Sequence, residues 1–291
     1  MKSKLKIAEV RMSNIIGVIG GSGVYNLDGI SIVKEHQVET PFGRPSDNII
    51  EAKLNDVTFY FLPRHGRNHS FLPHEVNYRA NIYALKSMGV QYILSVSAVG
   101  SLKEEHPPRS FVLPDQFIDW TKGKRERSFF GEGIVGHVSV ADPIEKTTQK
   151  LLGQACKKAD VQYSVGGSYL CIEGPQFSSR AESNIYRSFG ASVIGMTNVP
   201  ESYLAKEAGI AYCTLAMVTD YDCWKEEHCT VDEIMKVMKD NNIAANKIIP
   251  EFLTLLNNER PQFVKENTFG ILTPKENLSK DQQKIVETLL S

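Results

Sequence analysis

The chain has 291 residues, 42% of them hydrophobic, with 33 basic side chains against 34 acidic ones and a formal charge of −1. So even a balance supplies no field for gripping a polyanion along its length, which excludes extended nucleic-acid binding as the primary task. The longest apolar stretches, such as 92–100, fall far short of the roughly 20 residues that cross a bilayer, so no membrane partner is expected.

Five cysteines, Cys156, Cys171, Cys213, Cys223 and Cys229, form no CxxC pair and no Cys/His cluster at zinc spacing. They read as reduced thiols of a cytoplasmic or nuclear protein, and no metal is expected. Residues 1–13 carry lysines without the apolar core of a signal peptide and read as a loose leader. No repeat, low-complexity tract or long linker divides the remainder, so 14–291 is read as a single domain.

An apolar run predicts a strand over 14–20, closed by Gly20-Gly21-Ser22-Gly23. Two readings fit that end: a tight turn needing glycine at positive φ, or backbone amides closing on an anion. The spacing is not GxGxxG, and a dinucleotide fold would start a helix where 25–29 reads as loop, so a nicotinamide-dependent oxidoreductase is the poorer account. A second strand over 57–63 runs into Arg64, His65, Arg67 and His69. Arg64 is a planar fork matched to phosphate and His65 titrates near neutrality, while Arg67 and His69 are assigned to solvent by default. After a helix over 75–88, a strand over 91–97 ends in Ser97-Ala98-Val99-Gly100, small residues that leave room for a ligand and offer a hydroxyl and amides. Three strand ends of this kind point to one shared anion pocket at a sheet edge.

A helix over 143–159 precedes a strand over 169–173, a Gly-Pro turn, Phe177, Ser178 and a helix over 179–189. Phe177 fits either a flat base or the core. A short strand over 192–195 delivers Met196, Thr197 and Asn198, and a helix follows over 200–208. The strand over 210–219 is followed by Asp220 and Asp222, whose i, i+2 spacing on extended chain points both carboxylates one way. Such a pair suits a purine edge, and a raised pKa suits an acid that protonates N7; a helix-cap pair and a metal site are the other readings. A capping box at Thr230 opens a long helix that Pro250 is expected to kink, the polar segment 260–277 looks mobile, and a second capping box at Ser279 opens a terminal helix. Strands alternating with helices predict an α/β fold with a largely parallel central sheet.

In order, the segments IGGSG, TPFGRPSD, RHGRNH, SAVGSL, EGPQFSSRAES, MTNVPE, LAKEAGI and TDYDCWKE resemble the trimeric purine nucleoside phosphorylase and methylthioadenosine phosphorylase family, and within it the methylthioadenosine branch, from about residue 15 to 251. The resemblance implies an α/β single domain with a mixed, partly barrel-like central sheet flanked by helices, assembled as a homotrimer. It implies a pentosyltransferase that converts 5′-methylthioadenosine and phosphate into adenine and 5-methylthioribose 1-phosphate in purine and methionine salvage, with no cofactor and phosphate as co-substrate. Ser22, Arg64, His65, Ser97, Ala98 and Thr197 would then hold phosphate. Met196 would lie on the sugar, Phe177 along the base, and Ser178, Asp220 and Asp222 at its edge, with Asp220 the catalytic acid. Val231 would line an apolar 5′ slot, and His137 would enter the neighbouring subunit's pocket. Ser178 and Asp220 stand where the related 6-oxopurine enzymes carry Glu and Asn, which favours adenine. Ser22, Ser97 and Asn198 stand where threonine is common. A broader nucleoside phosphorylase acting on adenosine or 6-oxopurine nucleosides and a catalytically silent nucleoside-binding protein are the alternatives.

Overall fold

Strand β1 (Ile16–Gly20) is buried along its whole length and lies between two parallel neighbours, β4 (Val57–Pro63) and β5 (Tyr92–Ser101). Strands covered on both faces read as unbroken apolar runs, which is why these three were visible in the sequence. The computed structural model describes residues 15–21, 29–225 and 231–291, the side chain of Val231 excepted. The strand expected from residue 14, the leader, Ser22, Cys229 and the capping residue Thr230 lie wholly or partly outside them.

The sheet branches at β5. Its first half pairs with β1 through Tyr92–Ser95, its last residues pair antiparallel with β10 (Val193–Gly195) through Gly100 and Ser101, and its other edge pairs in parallel with β11 (Ala211–Asp220). Residues 96–99 therefore carry a strand partner on the β11 edge alone, among the described residues. From β4 the sheet continues antiparallel through β3 (Ile49–Leu54) to β2 (Ile30–His36). From β10 it continues in parallel through β9 (Ser168–Ile172) to β7 (Gln116–Trp120). Beyond β11 lie β6 (Phe111–Leu113), antiparallel, and β8 (Tyr163–Val165).

These eleven strands make a mixed sheet, which corrects the largely parallel one expected from periodicity. Several of the strands that the sequence hid are exposed or short. β2 is an edge strand, exposed along most of its length and broken by a bulge between Ile32 and Lys34, with charges where a core face would be. β6 and β8 span three residues each, too few for a period to register.

Among the described residues six α-helices cover the sheet: α1 (Tyr78–Ser87), α2 (Lys146–Lys158), α3 (Arg180–Ser188), α4 (Asn198–Glu207), α5 (Val231–Glu259) and α6 (Lys280–Leu290). Ser179 with Glu182 and Ser279 with Gln282 close capping boxes on α3 and α6, satisfying orphan amides in the first turn. Helix α5 holds Pro250 in its interior and buries Ile248, Ile249, Phe252, Leu253 and Leu256. Segment 260–277 is tied down by Asn267, buried, whose Nδ2 donates to the carbonyls of Glu207 and Leu289. Among the described residues no helix is long and apolar enough to cross a membrane.

Candidate active site

A cavity of about 760 Å³ opens where β1 and β10 part from β5. Val96, Ser97, Ala98, Val99 and Gly100 form its floor, the ends of β4, β10 and β11 its walls, and one face of α5 its cover. A strand edge that has lost its neighbour leaves room and free backbone groups, as at the switch points of open α/β sheets.

At one end stands Arg64, the first residue past β4, buried despite its charge. Its Nε donates to Glu201 Oε2 at 2.6 Å, and its Nη2 donates to Glu201 Oε1 at 2.9 Å and Ser95 Oγ at 2.7 Å. Its Nη1 donates to the Val96 carbonyl at 3.0 Å. Glu201 Oε1 also accepts from Ser95 Oγ and Tyr212 Oη, each at 2.8 Å, so the buried charges are paired and further hydrogen-bonded, as such pairs must be. Burial opposes the Arg64 charge, but Glu201 outweighs it and holds the guanidinium pKa above its ordinary value. His65 donates from Nδ1 to the Phe71 carbonyl at 2.9 Å and stacks on His69, ring centroids 4.7 Å apart. Burial, and then the Arg64 charge, push His65 down to about 4, so its ring is neutral at pH 7. Ser97 Oγ lies 3.1 Å from both the Thr197 and the Tyr169 hydroxyls. Thr197 is the N-cap of α4, yet its hydroxyl makes no cap bond and is turned to Ser97 instead.

At the other end Asp220 closes β11 beside a register shift after Val218. Its Oδ1 accepts from Thr219 Oγ1 at 2.6 Å and its Oδ2 from the Asp222 amide at 2.9 Å. Burial nevertheless raises the Asp220 pKa against both hydrogen bonds. The Asp222 carboxyl is likewise raised by burial, with the Ser183 hydroxyl opposing and Asp220 adding to the rise. The expectation that strand alternation aims both carboxylates is corrected: extended chain stops at Asp220, and Asp222 begins a 3-10 turn with φ at +48°. They share the cavity because the backbone turns back on itself, packing against Gly100. A Cβ there would lie 3.4 Å from both Asp220 Oδ2 and Asp222 Cβ.

Ser178 lines this end, its Oγ and Asp222 Oδ2 being buried atoms without a hydrogen-bond partner, groups of the kind a ligand satisfies. Phe177 stands at the rim with 76% exposure, which removes the core reading. Met196 packs over Gly174. Ile234, Met235 and Met238 present an apolar strip from α5; the Val231 side chain lies outside the described residues, as does Ser22.

Thus Arg64, His65, Ser97, Ala98, Met196, Thr197, Phe177, Ser178, Asp220 and Asp222 are brought together on one cavity. His137 is not: it is exposed on a loop whose amide donates to the Gly270 carbonyl. His69, assigned to solvent from sequence, lines the cavity, and Arg67 is held by Asp47 and Glu35 at the surface. Sequence reasoning missed Glu201, whose only signal was a carboxylate on the apolar face of α4. It also missed Arg125, buried, which binds Glu173 at 2.6 Å and the carbonyls of Met196 and Val199 at 2.7 Å, pinning β9, β10 and α4 together. Among the described residues no group of three or more His, Cys, Asp or Glu is placed to hold a metal ion.

The family model described as the phosphorylase superfamily matches residues 15–254. An S-methyl-5′-thioadenosine phosphorylase of Geobacter sulfurreducens is 52% identical over 251 residues, 86% of this chain and 88% of the relative. One of Thermofilum pendens is 46% identical over 84% of this chain and 93% of its own. Among solved structures, a methylthioadenosine phosphorylase from an antarctic soil metagenomic library superposes with a TM-score of 0.91 at 45% identity, covering 96% of this chain and 99% of that one. A methylthioadenosine phosphorylase of Schistosoma mansoni in complex with adenine gives 0.79 at 39% identity, over 84% and 92%. With a branched α/β sheet that gathers an anion-binding end and a carboxylate pair on one cavity, and with these likenesses spanning most of its length, the chain belongs to the phosphorylase superfamily.

Proposed function

We propose that the cavity carries out phosphorolysis of 5′-methylthioadenosine, giving adenine and 5-methylthioribose 1-phosphate for salvage; the observation that carries this is the placing of Arg64 and Asp220 on one cavity. Relatives of about 50% identity over most of the chain carry the name of that activity. In the reaction a phosphate oxygen bonds to the anomeric carbon as the carbon–N9 bond breaks, and the bonding pair leaves with the base through an oxocarbenium-like state.

Arg64, His65, Ser97, Ala98 and Thr197 hold the phosphate, and Ser22 joins them from outside the described residues. Positioning of this kind supplies much of the rate, since it replaces a bimolecular encounter with a fixed one. Asp220, its pKa raised by burial, gives its proton to N7 as charge develops on the base. Asp222 and Ser178 meet the 6-amino edge, Phe177 and Met196 flank base and sugar, and the strip of Ile234, Met235 and Met238 takes the methylthio group. No metal or organic cofactor is required by these steps. A homotrimer in a cytoplasmic setting, with His137 reaching a neighbour's cavity, completes the reading.

Release of the free base, adenine from methylthioadenosine and adenosine and hypoxanthine from inosine, at saturating phosphate tests it. Methylthioadenosine is expected to lead, with inosine lower in kcat/KM by about 10²-fold or more, since a carboxylate acceptor at the 6-position suits an amino donor and leaves a 6-oxo acceptor unpaired. Inosine outcompeting both removes the 6-aminopurine assignment.

A further inference from the structure

Arg64 is the one guanidinium on the cavity among the described residues, and its charge is cancelled where it stands. Glu201 takes Nε and one Nη2 hydrogen, Ser95 the other, and the Val96 carbonyl one hydrogen of Nη1. One N–H of five is left for a ligand. No lysine lines the cavity among the described residues, and its other ionisable groups are His65, His69, Asp220 and Asp222. His65 spends Nδ1 on the Phe71 carbonyl, so Nε2 of the neutral ring bears a lone pair and can only accept. The groups facing it are Arg64, His69 on its ring face, and Glu201 beyond Arg64. Asp220 and Asp222 lie at the opposite end, against Gly100. At neutral pH the described residues of the anion wall therefore have no net positive charge to offer, although the proposed reaction needs the wall to hold an inorganic dianion.

We propose that Glu201, by cancelling Arg64, makes the oxyanion enter together with one proton, which comes from solvent and is held on His65 Nε2. This rests on reading the cavity as a phosphorolysis site. A dianion against the ring reverses the influence of Arg64 and favours the imidazolium, whose Nε2–H then donates to an anion oxygen. Glu201 touches no substrate; it is a positioning residue that fixes both the direction and the net charge of Arg64.

Sulfate is the probe, because it carries no proton of its own above pH 5. Calorimetric titration of the full chain with sulfate, in buffers of different ionisation heat between pH 5.5 and 7.5, reads proton uptake directly. About one proton per sulfate is expected, with sulfate Kd rising about tenfold per pH unit. In His65→Asn the slope is expected to vanish, and in Glu201→Gln to fall by about half or more, because Arg64 then supplies the charge; His69→Asn is expected to keep it. A sulfate Kd that is flat with pH overturns the proposal, as does a slope unchanged in His65→Asn, which is the variant that decides should Glu201→Gln not fold. Binding without a slope leaves the phosphorolysis reading standing, whereas no binding of sulfate or of inorganic phosphate at any pH removes that reading as well.

Discussion

A methyl group on Gly195 would sit 1.9 Å from the Tyr169 hydroxyl, which lies 3.1 Å from Ser97 Oγ. Gly195→Ala is therefore expected to displace the hydroxyl cluster, raise the phosphate KM about tenfold, and destabilise the chain by about 1–3 kcal/mol; phosphate saturation kinetics and urea unfolding check both. Gly100→Ala crowds the other end, with Ile194 Cγ2 at 3.1 Å and Asp220 Oδ2 at 3.4 Å. There the nucleoside KM is expected to rise severalfold and the phosphate KM to stay. Asp220→Asn is expected to lower kcat on methylthioadenosine by about 10²-fold or more. The raised Asp220 pKa also fixes a sign: the acid form is the working one, so kcat falls as pH rises through the folded-state pKa, and that limb is absent from the Asn variant's pH profile. At this scale the sequence was informative where a polar residue closes or follows an apolar strand, as Asp220 at the end of β11 and Arg64 past β4 do. It was silent on Glu201, because a carboxylate inside a helix reveals its purpose only through a guanidinium 137 positions away in the chain.

Helix α4 ends at Glu207, whose carboxyl accepts from Ser128 Oγ and the Phe129 amide, each at 2.8 Å, and so holds the 128–130 segment. Burial pushes this acid up to about 7, against an ordinary value of 4.5. The folded state thus binds a proton that the unfolded chain has released, and stability is expected to fall by roughly 3 kcal/mol as pH rises from about 4.5 to 7, then to level off. Glu207→Gln is expected to lose that slope; denaturant midpoints at pH 5 and 7.5 measure it. The elements β4 and α2 were legible because they bury a continuous face: β4 occupies 57–63 as expected, and α2 falls within a few residues of its predicted bounds. The edge strand β2 and the short β6 and β8 were not, since exposure and brevity erase the two-residue alternation.

For the molecule as a whole, a His137 exposed on its own chain and outside the lining of its own cavity fits a residue lent to a neighbour. Sedimentation is expected to give three chains. Coexpressing Asp220→Asn with His137→Ala is expected to restore activity above either variant alone, because mixed assemblies rebuild some sites that have both residues; no recovery in confirmed mixed assemblies removes His137 from the neighbour's pocket. The branch at β5, which no local pattern announced, gives the molecule a built-in yardstick. Ser97, proposed for the oxyanion, and Gly100, under the paired acids, are separated by three residues of one strand, about 10 Å at 3.3 Å per residue. Backbone rather than side chains sets that gap, so exchanging lining residues can alter which purine or which 5′ substituent is taken. It cannot bring the nucleophile within reach of a leaving group held at a different distance.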